Sequence, residues 1–256
     1  MKREERVERI FEDLWRRYGG SFREDPGTAL AKVTAETEDP FKVLISTILS
    51  QRTRDERTEE ASRQLYVKYD TPERMAAAKV RDLQELIRPV GFYRQKAPKI
   101  REVSRILIER YGGRVPDTFD ELVSLPQVGP KTANCVLVYG YGKPAIPVDV
   151  HVAVISRRLG LAPPQANEAE VERHLMKAVP KELWLQLNEL FVRFGKDVCR
   201  TAAPRCEVCA FTSFCRFYAT SRRNSHRRRG GGPPRRGLPP RSRRRTGPGR
   251  RGIRRR

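Results

Sequence analysis

Long apolar runs are missing from this sequence of 256 residues. A helix needs roughly 20 mostly apolar residues to cross a bilayer, and no run approaches that length, so we expect no membrane-spanning segment. The start of the chain, MKREERVERIFEDLWRRY, is charged throughout and lacks the apolar stretch of a secretory signal. From these two absences we expect a cytoplasmic protein.

Alternation of apolar and polar residues, the pattern of half-buried strands, is also scarce. Apolar residues instead recur every three or four positions, as at Val7, Ile10, Phe11 and Leu14. Roughly ten segments of this kind are joined by short connections, and the pattern therefore predicts an all-α fold.

Acidic residues and lysine are absent from residues 221–256, which contain 16 arginines. This segment accounts for +16 of the formal net charge of +22 and consists largely of Arg, Gly and Pro. Because it has too few apolar residues to offset its chain entropy, we predict a disordered basic tail over 220–256. A polycation attracts polyphosphates, so the tail is a candidate tether to nucleic acid, although a solubilising or targeting segment can have the same composition.

Cysteine is sparse, but four of the five cysteines lie within 17 residues. Cys199, Cys206, Cys209 and Cys215 follow the spacing C-x6-C-x2-C-x5-C, which predicts a metal centre rather than disulfides. Zinc and an iron–sulfur cluster both accept four sulfur ligands. The single C-x2-C pair favours the cluster slightly, because zinc modules usually have two such pairs. Cys135, in an apolar run, is interpreted as a small buried hydrophobic residue.

The stretch LPQVGPKTANCVL, residues 125–137, predicts a tight hairpin between two helices. We expect Val128 to fill the space between the helices, Gly129 to take a positive φ, and Pro130 to begin the second helix. The start of that helix presents unpaired backbone N–H groups, which suit a phosphate oxygen. Many α-helical proteins have a Gly-Pro turn without a ligand, so the motif alone does not decide whether a phosphate binds here.

Lys131 lies in the first turn of the second helix, where the dipole disfavours a cation. The dipole and desolvation both favour the neutral amine over the ammonium at this place. A neutral lysine is a nucleophile that can form a Schiff base. The simpler interpretation is a solvated lysine, or one paired with a phosphate, and both interpretations stay open here.

Asp149 follows in the stretch VDVH, between two valines and just after Pro147. An acid at this place suits the N-cap of the next helix and is also a candidate catalytic group. The two roles are compatible, because a carboxylate that caps a helix is held rigidly.

Taken in order, LPQVGPKTA, VDVH and the four cysteines resemble endonuclease III, a helix–hairpin–helix DNA glycosylase and abasic-site lyase. The resemblance extends over nearly residues 1–219, and the combination is far more specific than any one motif. It implies an all-α, two-domain helix–hairpin–helix DNA glycosylase fold. A six-helix barrel domain would cover residues 33–143, and an iron–sulfur cluster domain would combine 1–32 with 144–219.

The resemblance also implies a chemistry. Lys131 matches the family's nucleophile, Asp149 its catalytic aspartate, and the four cysteines its ligands to a [4Fe–4S] cluster. The implied activity is that of a bifunctional enzyme of base excision repair, which removes oxidised pyrimidines through a lysine Schiff base and cleaves the strand 3′ to the abasic site by β-elimination. Its partner would be double-stranded DNA with a damaged base or abasic site, bound by a monomer that is nucleoid-associated if prokaryotic.

Three residues depart from the family pattern at positions that contact DNA. Gln127 stands where the hairpin usually has its first glycine. Arg52 stands where a DNA-inserting glutamine is common, directly after Gln51, so either residue could fill the gap left by a flipped base. Phe92 stands at the position of an apolar wedge, where it could stack on a base or pack in the core. The full set of expected DNA contacts is Gln51, Arg52, Phe92, Gln127, Val128, Gly129 and Lys131.

Two alternatives remain at the level of the sequence. A monofunctional glycosylase of the same superfamily, acting on mismatched adenine, thymine or uracil, would use water as its nucleophile and would need no lysine at position 131. A non-catalytic DNA-binding module could instead be stabilised by a structural zinc. An RNA-binding protein is disfavoured, because the body of the chain lacks an aromatic-rich β-surface.

Overall fold

The computed structural model describes residues 2–19 and 22–221. Within these ranges it contains twelve α-helices between Arg3 and Asp197, a further helical stretch at 216–221 and no strand, which confirms the all-α prediction. From residue 222 onward, the predicted tail lies outside the described residues. None of the described helices is both long and apolar enough to cross a membrane. The helices are α1 (Arg3–Tyr18), α2 (Ala29–Thr37), α3 (Pro40–Ser50), α4 (Asp55–Tyr66), α5 (Pro72–Ala77), α6 (Val80–Leu86), α7 (Tyr93–Tyr111), α8 (Phe119–Val123), α9 (Pro130–Cys135), α10 (Val150–Leu159), α11 (Glu168–Ala178) and α12 (Trp184–Asp197).

Local sequence accounts for where several helices begin and end. The Asp39 carboxylate accepts a hydrogen bond of 2.8 Å from the backbone N–H of Phe41, and Pro40 occupies the first turn of α3. Asn167 and Glu170 form a reciprocal capping box at the start of α11. Helix α7 ends at Gly112, whose φ of 59° is left-handed.

The buried apolar side chains form two separate cores. The first contains residues between Phe22 and Ala145 and is built mainly by α2 to α9. The second combines the inner face of α1 with residues from Ile146 to Cys215. Ala29, Leu30 and Ala31 are buried in α2, and the last two belong to the first core. The division of the chain into domains at residues 33 and 143 stays a prediction, with the cores changing over close to those positions.

A buried carboxylate joins elements of the two cores. Glu189, in α12, is 3% exposed and accepts hydrogen bonds of 2.7 Å from the backbone N–H of Gly27 and from the Thr28 hydroxyl. The Tyr139 hydroxyl lies 3.5 Å from the same carboxylate and donates to the Asn188 side chain at 2.9 Å. Burial raises the pKa of Glu189, and the donors from Thr28 and Gly27 oppose that effect. This network fixes α12 against the start of α2 and against Tyr139, which follows α9, the second helix of the predicted hairpin.

Removing the Glu189 carboxylate is expected to destabilise the protein. Glu189→Ala leaves the Gly27 N–H and the Thr28 hydroxyl without their acceptor, and we expect the free energy of unfolding to fall by about 2–4 kcal/mol. Urea denaturation followed by circular dichroism measures this change. The control is Glu182→Ala, at an exposed position, for which less than about 0.5 kcal/mol is expected. Equal effects in the two variants would contradict the role of the network.

Candidate active site and cysteine centre

The predicted hairpin is formed by α8, the turn 124–129 and α9. Val128 is buried at 5% exposure, as predicted, and its N–H donates to the Leu125 carbonyl at 3.2 Å. Pro130 occupies the first turn of α9, which also confirms the prediction. Helix α9 continues directly into a π-helical turn, Val136–Gly140. The hairpin therefore ends in an eleven-residue helical segment, residues 130–140.

The prediction that Gly129 takes a positive φ is wrong. Its φ is −91° and its ψ is 179°, an extended conformation that any residue adopts. The left-handed residue is Gln127, with a φ of 65°. The turn reverses at Gln127, whose carbonyl accepts a hydrogen bond of 2.9 Å from the side-chain amide of Gln51, in the loop after α3. A Cβ added to Gly129 would meet no protein atom within 4 Å, so neither conformation nor packing inside the protein requires glycine there.

Lys131 is exposed in the first turn of α9. Its amine makes no hydrogen bond or ion pair with any residue that the structure describes. The site therefore holds an amine beside the unpaired N–H groups at the start of a helix, in a position open to a ligand.

Asp149 caps α10, as predicted. One carboxylate oxygen accepts a hydrogen bond of 2.8 Å from the Val152 N–H. The preceding extended segment is held by two buried amides. Asn134 donates to the Ile146 carbonyl at 3.3 Å, and Asn188 donates to the Pro147 carbonyl at 2.9 Å. Because Asn134 also belongs to α9, the helix that carries Lys131 and the segment that carries Asp149 are fixed to each other.

Cys135 lies near both predicted catalytic residues. Its buried thiol lies one helical turn after Lys131. Burial raises the pKa of Cys135 to about 11, the positive charge of Lys131 lowers it, and the negative charge of Asp149 raises it. Both charges are thus close enough to affect one thiol. The raised pKa keeps that thiol protonated, which agrees with the interpretation of Cys135 as a small hydrophobic residue.

The other predicted DNA contacts lie on two adjacent loops. Gln51 is half-buried, and its amide is engaged by Gln127 and by the Thr132 hydroxyl at 3.4 Å. Arg52 is exposed, and its guanidinium carbon lies 5.7 Å from the centroid of the Phe92 ring. Phe92 is 53% exposed, which contradicts the alternative that it packs in the core.

Sequence reasoning missed several residues that hold the site together. Lys96 is buried beneath the two loops, and the Asn134 amide also donates to the Glu172 carboxylate at 2.8 Å. Burial raises the pKa of Glu172 and the bond from Asn134 opposes the shift. Helical periodicity assigns such residues to a helix, but it gives no information about partners that are distant in the chain.

The four clustered cysteines line one cavity, together with Arg158 and Phe217. All four are free thiols, and those of Cys199 and Cys215 are buried. In the described ranges, 2–19 and 22–221, no three Cys, His, Asp or Glu side chains are arranged to hold a single metal ion. Four thiols around one cavity can supply four sulfur ligands, which both zinc and an iron–sulfur cluster accept.

Arg158 places a positive charge beside the cysteine cavity. Its guanidinium donates to the Cys199 sulfur at 3.4 Å and to the backbone carbonyls of Cys199, Arg200 and Thr201 at 3.1, 2.8 and 2.7 Å. It also lies 4.5 Å from the centroid of the Phe217 ring. A cation fixed in this way suits an anionic group bound by thiolates, so the residues present fit an iron–sulfur cluster.

Comparison with known proteins gives a consistent result. A family model described as "HhH-GPD superfamily base excision DNA repair protein" matches residues 45–181. Endonuclease III of Thermotoga maritima is 53% identical over 180 residues, which cover 70% of this chain and 84% of that protein. Endonuclease III of Bacillus subtilis is 41% identical over 178 residues, which cover 70% of this chain and 81% of that protein.

Solved structures agree with these relatives. A trapped endonuclease III–DNA covalent intermediate and a non-covalent endonuclease III–DNA complex both match with a TM-score of 0.77 and 33% identity. Each match covers 87% of this chain and 100% of the other. A thermostable thymine-DNA glycosylase matches with a TM-score of 0.73 at 24% identity, over 85% of this chain and 97% of the other, which shows a shared fold alone.

Proposed function

Since the chain belongs to the endonuclease III family of the HhH-GPD superfamily, we propose that Lys131 is its nucleophile and Asp149 its catalytic carboxylate. The protein is a DNA glycosylase and abasic-site lyase of base excision repair. Its partner is double-stranded DNA with a damaged base or an abasic site. The observation that carries this assignment is the unpaired, exposed amine of Lys131 in the first turn of α9, the helix that Asn134 bonds to the segment carrying Asp149.

The proposed reaction begins with a nucleotide flipped out of the duplex, because the damaged base is inaccessible inside the stack. The Lys131 nitrogen attacks C1′ of the sugar, and the C1′–base bond breaks with its electron pair leaving on the base. Asp149 accepts a proton from the attacking amine or stabilises the positive charge that develops on the sugar. Opening of the sugar then gives an imine between Lys131 and C1′.

Strand cleavage follows from the imine. The protonated imine acidifies the C2′ hydrogen, and loss of this proton expels the 3′ phosphate by β-elimination. Hydrolysis of the imine releases Lys131 and the cut strand. Water cannot form this intermediate, whereas the primary amine of a lysine can, so Lys131 favours a bifunctional enzyme over a monofunctional glycosylase that uses water.

The hairpin is proposed to hold a DNA phosphate. The start of α9 offers unpaired N–H groups next to Gly129, where the protein leaves open space. Because nothing inside the protein requires glycine at 129, close approach of the DNA backbone explains its presence. Gln127 and Val128 complete the turn, with Val128 buried beneath it.

Arg52 and Phe92 are proposed to enter the duplex where the damaged nucleotide leaves it. Both side chains are exposed and adjacent, and an aromatic ring can stack on a base. Gln51 instead supports the hairpin, because its amide is bonded to the turn. This assigns the gap-filling role to Arg52 rather than to Gln51.

The four cysteines are proposed to bind a [4Fe–4S] cluster. Cys199, Cys206, Cys209 and Cys215 would supply four thiolate ligands, and Arg158 would offset part of the negative charge. The cluster would fix the loops between the cysteines in place, and no step of the proposed reaction passes through it. The alternative is a binding module stabilised by zinc.

The remaining proposals concern substrate range and organisation. We propose oxidised pyrimidines as the preferred bases, a monomeric enzyme, and a location in the cytoplasm. We also propose two domains, a helical barrel near residues 33–143 and a cluster domain from 1–32 and 144–219. The two hydrophobic cores support this division.

Replacing Lys131 is expected to abolish the covalent intermediate. With a duplex that contains one thymine glycol, borohydride should trap wild type on DNA and should not trap Lys131→Gln, because an amide forms no imine. The substitution should leave the fold intact, because the exposed Lys131 side chain makes no contact that holds the protein together. Gel shifts should therefore give duplex affinities for the two proteins within about threefold of each other. Lys177→Gln, an exposed lysine on α11, is the matched control and should be trapped normally. Full strand cleavage by Lys131→Gln would refute the assignment.

Replacing Gly129 is expected to separate DNA binding from stability. Gly129→Ala should change the free energy of unfolding by less than about 0.5 kcal/mol, because its φ of −91° suits alanine and the new methyl meets no protein atom. Duplex affinity should fall about tenfold or more if a phosphate approaches this backbone. Gly160→Ala is the control for strain: its φ is 77°, and a Cβ would lie 2.5 Å from the Arg216 side chain. A Gly129→Ala variant that binds duplex like wild type would count against the proposed contact.

Metal analysis distinguishes the cluster from zinc. The purified protein is expected to be brown and to contain about four iron and four sulfide per chain. Cys209→Ser should lower that content, whereas Cys135→Ser, outside the cavity, should retain it. About one zinc per chain without sulfide would contradict the proposal.

A further inference from the structure

Two exposed side chains share an unusual backbone conformation. Arg52 has a φ of 53° and Phe92 a φ of 58°, and neither is glycine. Left-handed backbone is disfavoured for such residues, so the surrounding structure must hold both in place. Arg52 lies in the loop after α3, and Phe92 immediately precedes α7. The loops are brought together by contacts beneath the two side chains.

Lys96 lies at the base of these contacts. It is 5% exposed, although lysine is rarely buried, and it belongs to the first turn of α7. Its ammonium donates to the Leu49 carbonyl at 2.6 Å, to the Gln51 carbonyl at 2.6 Å and to the Thr53 hydroxyl at 3.2 Å. An ammonium has three N–H donors, and here each has an acceptor.

The charge of Lys96 suits its position. The Leu49 carbonyl belongs to the last turn of α3, where the partial negative charge of the helix favours a cation. Burial lowers the pKa of Lys96 to about 8, so the ammonium is the majority form at neutral pH and all three donors are present. The contact therefore differs from ordinary apolar packing, because a methionine of similar length could fill the space without bonding the loop.

Thr53, in the loop after α3, bonds this loop to the one that precedes α7. Its hydroxyl donates to the Gln51 carbonyl at 3.2 Å and accepts from the Gly91 N–H at 3.1 Å. A Cβ added to Gly91 would lie 2.9 Å from the Arg52 carbonyl, so the two backbones are in close contact. Arg52 and Phe92 thus stand side by side on two loops that are bonded to each other and to Lys96.

We propose that Lys96 is a positioning residue that holds Arg52 and Phe92 as one rigid wedge, so that both enter the DNA stack together when the damaged nucleotide leaves it. The inference rests on the proposed function of Arg52 and Phe92 as the inserting side chains. A rigid wedge lowers the ordering cost of insertion, because the two loops need not be immobilised when DNA binds. Lys96 touches neither the sugar nor Lys131, and it acts through the two loops.

The test compares a substrate that needs the wedge with one that does not. A duplex with one thymine glycol must be unstacked before base removal, whereas a single strand with one abasic site has no partner strand to replace. Lys96→Met should lower kcat/KM on the duplex at least about tenfold and should change cleavage of the single strand less than about twofold. Lys99→Met, on the same helix and paired with Glu102 at 2.9 Å, is the matched control and should change neither rate.

A double variant links the effect to the wedge. Arg52→Ala/Phe92→Ala should show the same duplex-specific loss, and adding Lys96→Met to it should lower the duplex rate by less than about twofold more. If the double variant loses no duplex activity, the proposed inserting role of Arg52 and Phe92 fails. If it does lose activity but Lys96→Met alone does not, only the role of Lys96 fails. Equal losses on duplex and single strand in Lys96→Met would indicate general damage and would also overturn the inference.

Thr53→Val keeps the test valid if Lys96→Met does not fold. This variant removes the hydroxyl that bonds Gly91, Gln51 and Lys96 but retains a side chain of similar volume. It should reduce the duplex rate about threefold or more, with the single-strand rate unchanged. An unchanged duplex rate in a folded Thr53→Val protein would contradict the coupling of the two loops.

Discussion

The proposed chemistry depends on placing an amine and a carboxylate in one site without letting them neutralise each other. Lys131 has no ion-pair partner among residues 2–19 and 22–221, although its charge and that of Asp149 act on the same thiol. The separation is explained by the role of Asp149 as the N-cap of α10, where a backbone N–H occupies one of its carboxylate oxygens. Asn134 then fixes this cap to the helix that carries the lysine. The result is an amine that stays unpaired among the described residues and a carboxylate held as a helix cap, an arrangement that suits the proposed roles.

The same design recurs where DNA is expected to bind. The exposed Arg52 and Phe92 contact each other, and buried or half-buried polar groups from other parts of the chain hold the loops around the site. Gln51 bonds the hairpin turn, Lys96 bonds the end of α3, and Glu189 bonds the start of α2. Lys96 and Glu189, which are buried, have their polar atoms hydrogen-bonded while they fix a loop, so the energetic cost of burying them is limited.

Local rules account for the parts of the structure that depend on neighbours in the sequence. Asp39 and Pro40 begin α3, Gly112 ends α7, and Pro130 begins α9, because capping and backbone preferences involve only a few adjacent residues. The prediction for Gly129 was wrong because the left-handed residue is determined at Gln127, whose carbonyl is bonded by a side chain 76 positions earlier. No periodicity reports such a contact.

The burial of Lys96 was also not predictable from local sequence, because it depends on contacts with residues that are distant in the chain. A lysine on an amphipathic helix predicts an exposed side chain, and its acceptors lie 43 to 47 positions away in the chain. The cysteine centre was predictable as a set of ligands because all four residues lie in one short segment. The positive charge that Arg158 places beside Cys199, 41 positions later, was not predictable from that segment.

Peptide mapping of the borohydride-reduced complex tests the central claim most directly. After digestion of protein and DNA, mass spectrometry locates the residue that carries the sugar remnant. The account predicts a single modified peptide, with the added mass on Lys131. A remnant on Lys96, on the terminal amine of Met1, or distributed over several lysines would show that another amine forms the imine, and the proposed active site would then be wrong.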